Sequence, residues 1–184
     1  MLEFSDNELI DKTRKGDNEA YGIIVRRYIK SLYDFVMRLS GNKSDAEDIV
    51  QDAFVKAWKK IKRFNTHRSF KPWLYTIAKN TFLDSIKNKK EIPISSFDTE
   101  DGNFIEDTVI DVSLSAEDIF DTSLKVQDLQ KHINTLSPIY QIVLTLHLKE
   151  ELTFQEISDI LGVSIDTIKS RYRRACTKLR GLVV

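Results

Sequence analysis

The chain has 184 residues, 41% hydrophobic and 30% charged, enough for one medium or two small helical domains with packed cores. A single cysteine, Cys176, excludes an internal disulfide, and no apolar run approaches the roughly 20 residues that a membrane span needs. The formal net charge of +0 is a sum of unlike parts: Glu91 to Leu124 holds ten acids and no Lys or Arg, so the rest carries 28 bases against 28 − 10 = 18 acids, a balance of +10. Such segregation points to a nucleic-acid partner and a separate acidic element.

The first predicted helix begins at a capping box, Ser5 with Glu8, runs to about Lys15 and is closed by Gly16. Asp17 caps the second. It repeats apolar residues at Tyr21, Ile24, Val25, Tyr28, Leu32, Phe35, Val36 and Leu39, and ends at Gly41. Ser44 and Glu47 predict the cap of a third helix, which turns Ala46, Val50, Ala53, Phe54, Ala57 and Ile61 inward. Asp45, Asp48 and Asp52 share its opposite face. A fourth helix from Ser69 buries Phe70, Leu74, Ile77 and Ala78, with Trp73, Asn80, Asp84 and Lys87 along one flank. These four helices make a domain over residues 1–90.

From Lys56 to Lys90 there are eleven Lys or Arg and one acid, Asp84. Phe64, Phe70, Trp73, Tyr75 and Phe82 are threaded through that run. Rings interleaved with cations suit an unstacked nucleic-acid strand: rings meet bases, charges meet phosphates. Residues 91–122 contain Pro93 and Gly102 with many acids and no sustained period, and read as a linker.

A second helical domain is predicted over 123–184. Leu124 to Thr135 forms one helix. Ser137 and Pro138 open another, with a cap and a proline at the first helical position, running to about Glu150. Thr153 and Glu156 make a third capping box, Gly162 supplies a turn, and Ser164 caps a last helix to about Leu182. Thr153 to Arg180 therefore fits a helix-turn-helix. Its second helix buries Ile165, Ile168, Tyr172, Ala175 and Leu179 and leaves Asp166, Thr167, Ser170, Arg171 and Arg174 outward. Lys169 to Arg180 carries six cations and no acid. A polar helix N-terminus followed by cations suits a major groove, where Arg171 or Arg174 can bond guanine bidentately while other cations hold phosphates. A plain solvated basic helix is the alternative. Ser158 stands where many such motifs have alanine. Cys176 reads as a packing residue.

No Walker loop, GxGxxG, GxSxG, HExxH or CxxC occurs, and His67, His132 and His147 are scattered. No catalytic residue, cofactor or metal is expected. The amphipathic, charged opening does not read as a signal peptide, and a reducing, cytoplasmic setting is expected.

Three stretches, DAEDIVQDAFVKAWKKI, FKPWLYTIAKNTFLDSIKNKK and TFQEISDILGVSIDTIKSRYRRACTKLR, occur in an order and separation that resemble a bacterial sigma factor of the extracytoplasmic-function (ECF) group of the sigma-70 family. The resemblance implies an all-α fold of two small domains, sigma regions 2 and 4, joined by a flexible acidic linker. It implies that Asp45, Asp48, Gln51 and Asp52 dock the β′ clamp helices of core RNA polymerase, whose β subunit is also a partner. It implies that Lys62, Arg63, Phe64, Arg68, Phe70, Trp73, Asn80, Asp84 and Lys87 melt and read the single-stranded minus-ten element. Thr167, Lys169, Ser170, Arg171, Arg173, Arg174 and Lys178 would read the minus-thirty-five duplex. An anti-sigma factor is an implied further partner. The main competing reading is a helix-turn-helix regulator that never joins polymerase.

Overall fold

The computed structural model describes residues 4–89 and 132–183, and among them the regular structure is helical with no strand. The linker expected at 91–122, and most of the helix expected from Leu124, lie outside the described residues. The helices are α1 (Asp6–Arg14), α2 (Asn18–Ser40), α3 (Lys43–Lys60), α4 (Phe70–Lys89), α5 (Pro138–Leu144), α6 (Phe154–Leu161) and α7 (Ile165–Val183). A 3-10 turn, Ile61–Arg63, extends α3.

Local chemistry sets most boundaries. Ser5 and Glu8 close a reciprocal capping box on α1, and Thr153 and Glu156 do the same on α6. Asp17 accepts the backbone N–H groups of Glu19 and Ala20 at the start of α2. The start of α3 differs from expectation. Asn42, not Ser44, is the cap: its Oδ1 accepts the N–H groups of Ser44 at 2.9 Å and Asp45 at 3.3 Å. Gly41, at φ 65°, turns the chain so that Asn42 is extended and its short amide reaches those donors first. Glu47 instead pairs with Lys43 at 3.8 Å.

Most positions of the expected stripes are buried, while Tyr21, Val25, Leu39, Phe154, Leu161 and Ile165 are only partly so. Leu9, Ile24, Leu32, Val36, Ala46, Ala53, Leu74 and Ala78 are fully enclosed where α1 to α4 meet. In the C-terminal half Val143, Leu144, Leu146, Ile157, Ile160, Ile168 and Ala175 are equally enclosed. Cys176 is 1% exposed, and burial pushes its thiol pKa up. Native protein is therefore expected to resist iodoacetamide at neutral pH and to react once unfolded in urea. Because the folded thiol titrates above the unfolded one, its stabilising contribution is complete below the unfolded pKa of about 8.5 and is lost as pH rises towards the folded value. Rapid alkylation of native protein would refute this packing role.

The two halves are not held apart. Helix α4 packs on α6, and α2 packs on α5, so the apolar cores are continuous. Lys71 Nζ donates at 2.8 Å both to the carboxylate and to the backbone carbonyl of Glu150, whose side chain is 7% exposed. Lys149 pairs with Asp34 at 2.9 Å. Both C-terminal partners sit at the end of a π-helical turn, Thr145–Lys149, which follows α5 in place of a straight helix. Glu151 then takes φ 57°, a left-handed conformation that is uncommon for a residue with a Cβ.

Candidate nucleic-acid interface

Loop 64–69 connects the end of α3 to α4 and is anchored by rings at both ends. Phe64 is 6% exposed and Phe70 is 2% exposed. Their centroids lie 5.6 Å apart, edge to face, and Trp73 packs on both at 4.8 Å and 5.4 Å. Phe64 and Phe70, expected from sequence to meet DNA, are thus core residues in this arrangement. The reason is that the two rings pack on each other and on Trp73, and Phe70 also meets Tyr28 of α2. Trp73 is only half-buried, with Phe64 and Phe70 packed against it. Around it Lys62, Arg63 and Arg68 are exposed, as are Asn80 and Asp84 on α4. Asp84 is not a solitary acid: Lys56 of α3 donates to it at 3.4 Å. Lys87 has its side chain outside the described residues.

On α3, Asp48, Gln51 and Asp52 are exposed and Asp45 is half-buried. The three acids share a shallow groove with Lys56, Thr81 and Asp84, between α3 and α4. Elsewhere on α3, Val55 and Trp58 are 49% and 38% exposed. Sequence reading passed over them because neither belongs to the inward stripe nor carries charge. Trp58 is steadied by Tyr21, whose ring lies 4.7 Å away and whose hydroxyl donates to the Phe54 carbonyl at 2.5 Å.

In the C-terminal half, Gly162 at φ 74° makes the tight turn between α6 and α7. Ser158 is buried and donates to the Val163 carbonyl at 2.6 Å, so the hydroxyl that departs from alanine staples the turn. Ser164 accepts the Thr167 N–H at 3.1 Å and caps α7. Lys169, Arg173, Arg174 and Lys178 are exposed, and Thr167 and Ser170 half-exposed, along one side of α7. Lys178 also lies over the Tyr140 ring, 4.7 Å from its centroid.

Arg171 departs from expectation. It is 6% exposed and lies on the flank of α7 that turns towards α4, not on the outward side. There it lines a cavity of about 220 Å³ between the halves with Leu39, Lys79, Phe82, Leu83 and Ile142. Burial holds the Lys79 ammonium pKa below the ordinary lysine range. The sequence period alone puts position 171 at the edge of the buried stripe, and its burial at the cavity between the halves decides the matter.

A helix-turn-helix with an exposed cationic side, and exposed cations at Lys62, Arg63 and Arg68 ahead of α4, are features that suit a nucleic-acid partner. The comparisons narrow this. Residues 24–92 match the Sigma-70 region 2 model, and residues 127–179 match the Sigma-70 region 4 model. The chain is 32% identical to the ECF RNA polymerase sigma factor SigW of Bacillus subtilis (strain 168), over 97% of each chain. It is similar, at 30% identity and a TM-score of 0.59, to the sigma factor RpoE of Bartonella quintana in complex with the anti-sigma factor NepR, covering 89% of this chain and 96% of that one. CnrH, in complex with the cytosolic domain of CnrY, shares the fold at 21% identity and a TM-score of 0.61, with 97% and 96% covered. The chain belongs to the ECF RNA polymerase sigma factors, and its function is promoter-specific initiation of transcription.

Proposed function

We propose that residues 1–90 form the unit that docks core RNA polymerase and opens the minus-ten element, that residues 123–184 read the minus-thirty-five duplex, and that 91–122 connect them. The observation that carries this reading is that α3, α4 and the stretch between them present two exposed charged features of opposite sign. Three acids share a groove between α3 and α4, with Val55 and Trp58 exposed elsewhere on α3, and Lys62, Arg63 and Arg68 are exposed in the stretch that leads to half-buried Trp73. A duplex-only regulator needs neither. Asp45, Asp48, Gln51 and Asp52 meet the β′ clamp helices. Lys62, Arg63 and Arg68 hold the strand backbone, Trp73 offers a stacking face, and Asn80 and Asp84 bond base edges. Phe64 and Phe70 act through the frame they build for Trp73. Thr167, Lys169, Ser170, Arg173, Arg174 and Lys178 meet the duplex, positioned by phosphate contacts and specified by base contacts. An anti-sigma factor is the regulatory partner, the protein works in the cytoplasm, and it catalyses nothing itself. Run-off transcription with core polymerase tests the whole. Promoter-dependent product that requires this chain supports it, and duplex binding with no such product would turn the reading into that of a plain regulator.

Within the helix-turn-helix the two arginines are expected to separate. Arg174→Ala should weaken binding to a minus-thirty-five duplex about tenfold in a gel shift, the worth of a good base contact. Arg171→Ala should leave base discrimination unchanged and loosen the packing between α7 and α4 instead. Equal loss of discrimination in both variants would return Arg171 to the groove.

A further inference from the structure

Helix α1 lies before the start of the region 2 match at residue 24. Nothing in the foregoing gives it a role, yet it touches the strand-facing loop at both root and tip. Arg14 Nε donates to the Ile61 carbonyl at 3.1 Å, and its Nη2 donates to the Phe64 carbonyl. Its Nη1 pairs with Asp11 at 3.3 Å. Asn7 Nδ2 donates to the Thr66 carbonyl at 3.3 Å. The Ile61 carbonyl also accepts the Phe64 N–H at 3.2 Å, and the planar guanidinium spans it and the Phe64 carbonyl.

The strut is itself rigid. Leu9 and Ile10 are fully buried. Asp6 accepts from Arg27 and from the Tyr28 hydroxyl of α2. Within the loop, Asn65 accepts the His67 N–H at 2.9 Å through its side chain and the Arg68 N–H at 3.0 Å through its carbonyl. The loop is thus tied at its root by Arg14, at its tip by Asn7, and at its far end by buried Phe70. Asn65, His67, Arg68 and Ser69 remain exposed.

We propose that Arg14 is a positioning residue for strand recognition: by spanning the Ile61 and Phe64 carbonyls it sets the path on which loop 64–69 presents its exposed side chains to an unpaired DNA strand. The proposal rests on the strand-reading role given to that loop. Arg14 reaches no base. It converts a tether free to sample many paths into one path, so its loss lowers selectivity more than backbone affinity.

The test uses the full chain bound to core polymerase and a single-stranded DNA library with a randomised core, sequenced before and after capture. Arg14→Ala should reduce enrichment of the preferred sequence about tenfold, the scale of two lost hydrogen bonds, while binding to oligo-dT changes little. Arg14→Lys, which keeps a cation able to donate to the same carbonyls, should recover part of the enrichment. Arg68→Ala, which alters the strand-facing surface directly, serves as the reference. If Arg68→Ala loses enrichment and Arg14→Ala does not, the positioning role is wrong and strand reading by the loop stands. If neither variant loses it, loop reading and the proposal fall together. If Arg14→Ala also loses minus-thirty-five duplex binding and melts much earlier, its role is general stability and the proposal is overturned.

Discussion

Asp48→Lys combined with Asp52→Lys is expected to weaken association with core RNA polymerase roughly a hundredfold, because like charges brought together across an interface cost several kcal/mol. Both side chains are exposed on α3, one turn apart, away from the stripe that packs on α2 and α4. The double change swings local charge by four units without entering the core. Surface changes of this kind usually alter stability by about 0.5 kcal/mol or less, so helicity and the melting midpoint should hold. Lys56 sits one turn beyond Asp52 and pairs with Asp84. The reversed charge at position 52 would therefore add repulsion near that pair, and duplex binding by α7 is the control that should not move. Co-purification with core polymerase, read across a salt series, is the measurement. Wild-type retention by the double variant would remove the docking assignment from this face and leave Val55 and Trp58 to be tested on their own.

Trp73→Ala should suppress promoter opening severely while leaving the closed complex in place. Stacking on an aromatic face is worth about 1–3 kcal/mol per base, so loss of one platform predicts roughly a ten- to hundredfold drop in permanganate-reactive open complex. The ring also packs against Phe64 and Phe70, so part of the effect is structural. Full truncation of a buried Trp costs about 3–5 kcal/mol, and a half-buried one should cost less. Trp73→Phe separates the two contributions, because it keeps much of the packing and a smaller stacking face. A pre-melted bubble template should largely rescue Trp73→Ala if the ring serves melting. Normal opening by a folded Trp73→Ala protein would remove the strand-melting role from this stretch. The same rescue should fail for Arg174→Ala, whose loss lies upstream in duplex recognition.

Much of the local structure was legible because its signals act over a few residues. Capping boxes at Ser5 and Thr153, the cap at Asp17, and the left-handed turns at Gly41 and Gly162 each depend on neighbours within one turn. The Ser44 cap failed for an equally local reason: Asn42 lay two residues earlier and its amide reached the same N–H groups. The π-helical turn at Thr145–Lys149 left no readable mark, since its apolar run continues the α-helical pattern while its ends are drawn to Asp34 and Lys71 of the other half.

By itself the sequence determined the helices, their inward stripes, the acidic face of α3 and the cationic side of α7, because periodicity and charge are carried by each helix alone. Only the tertiary structure decided which cations and rings are open to DNA. Phe64 and Phe70 became a buried frame because they pack on each other and on Trp73, with Tyr28 of α2 against Phe70. Arg171 became a buried residue because its flank of α7 faces the cavity that Lys79, Phe82 and Leu83 of α4 also line. Arg14, inconspicuous in sequence, became the anchor of loop 64–69 because folding brings α1 beside carbonyls some fifty residues away. Exposure at the edge of a stripe depends on what packs there, and that neighbour lies far along the chain.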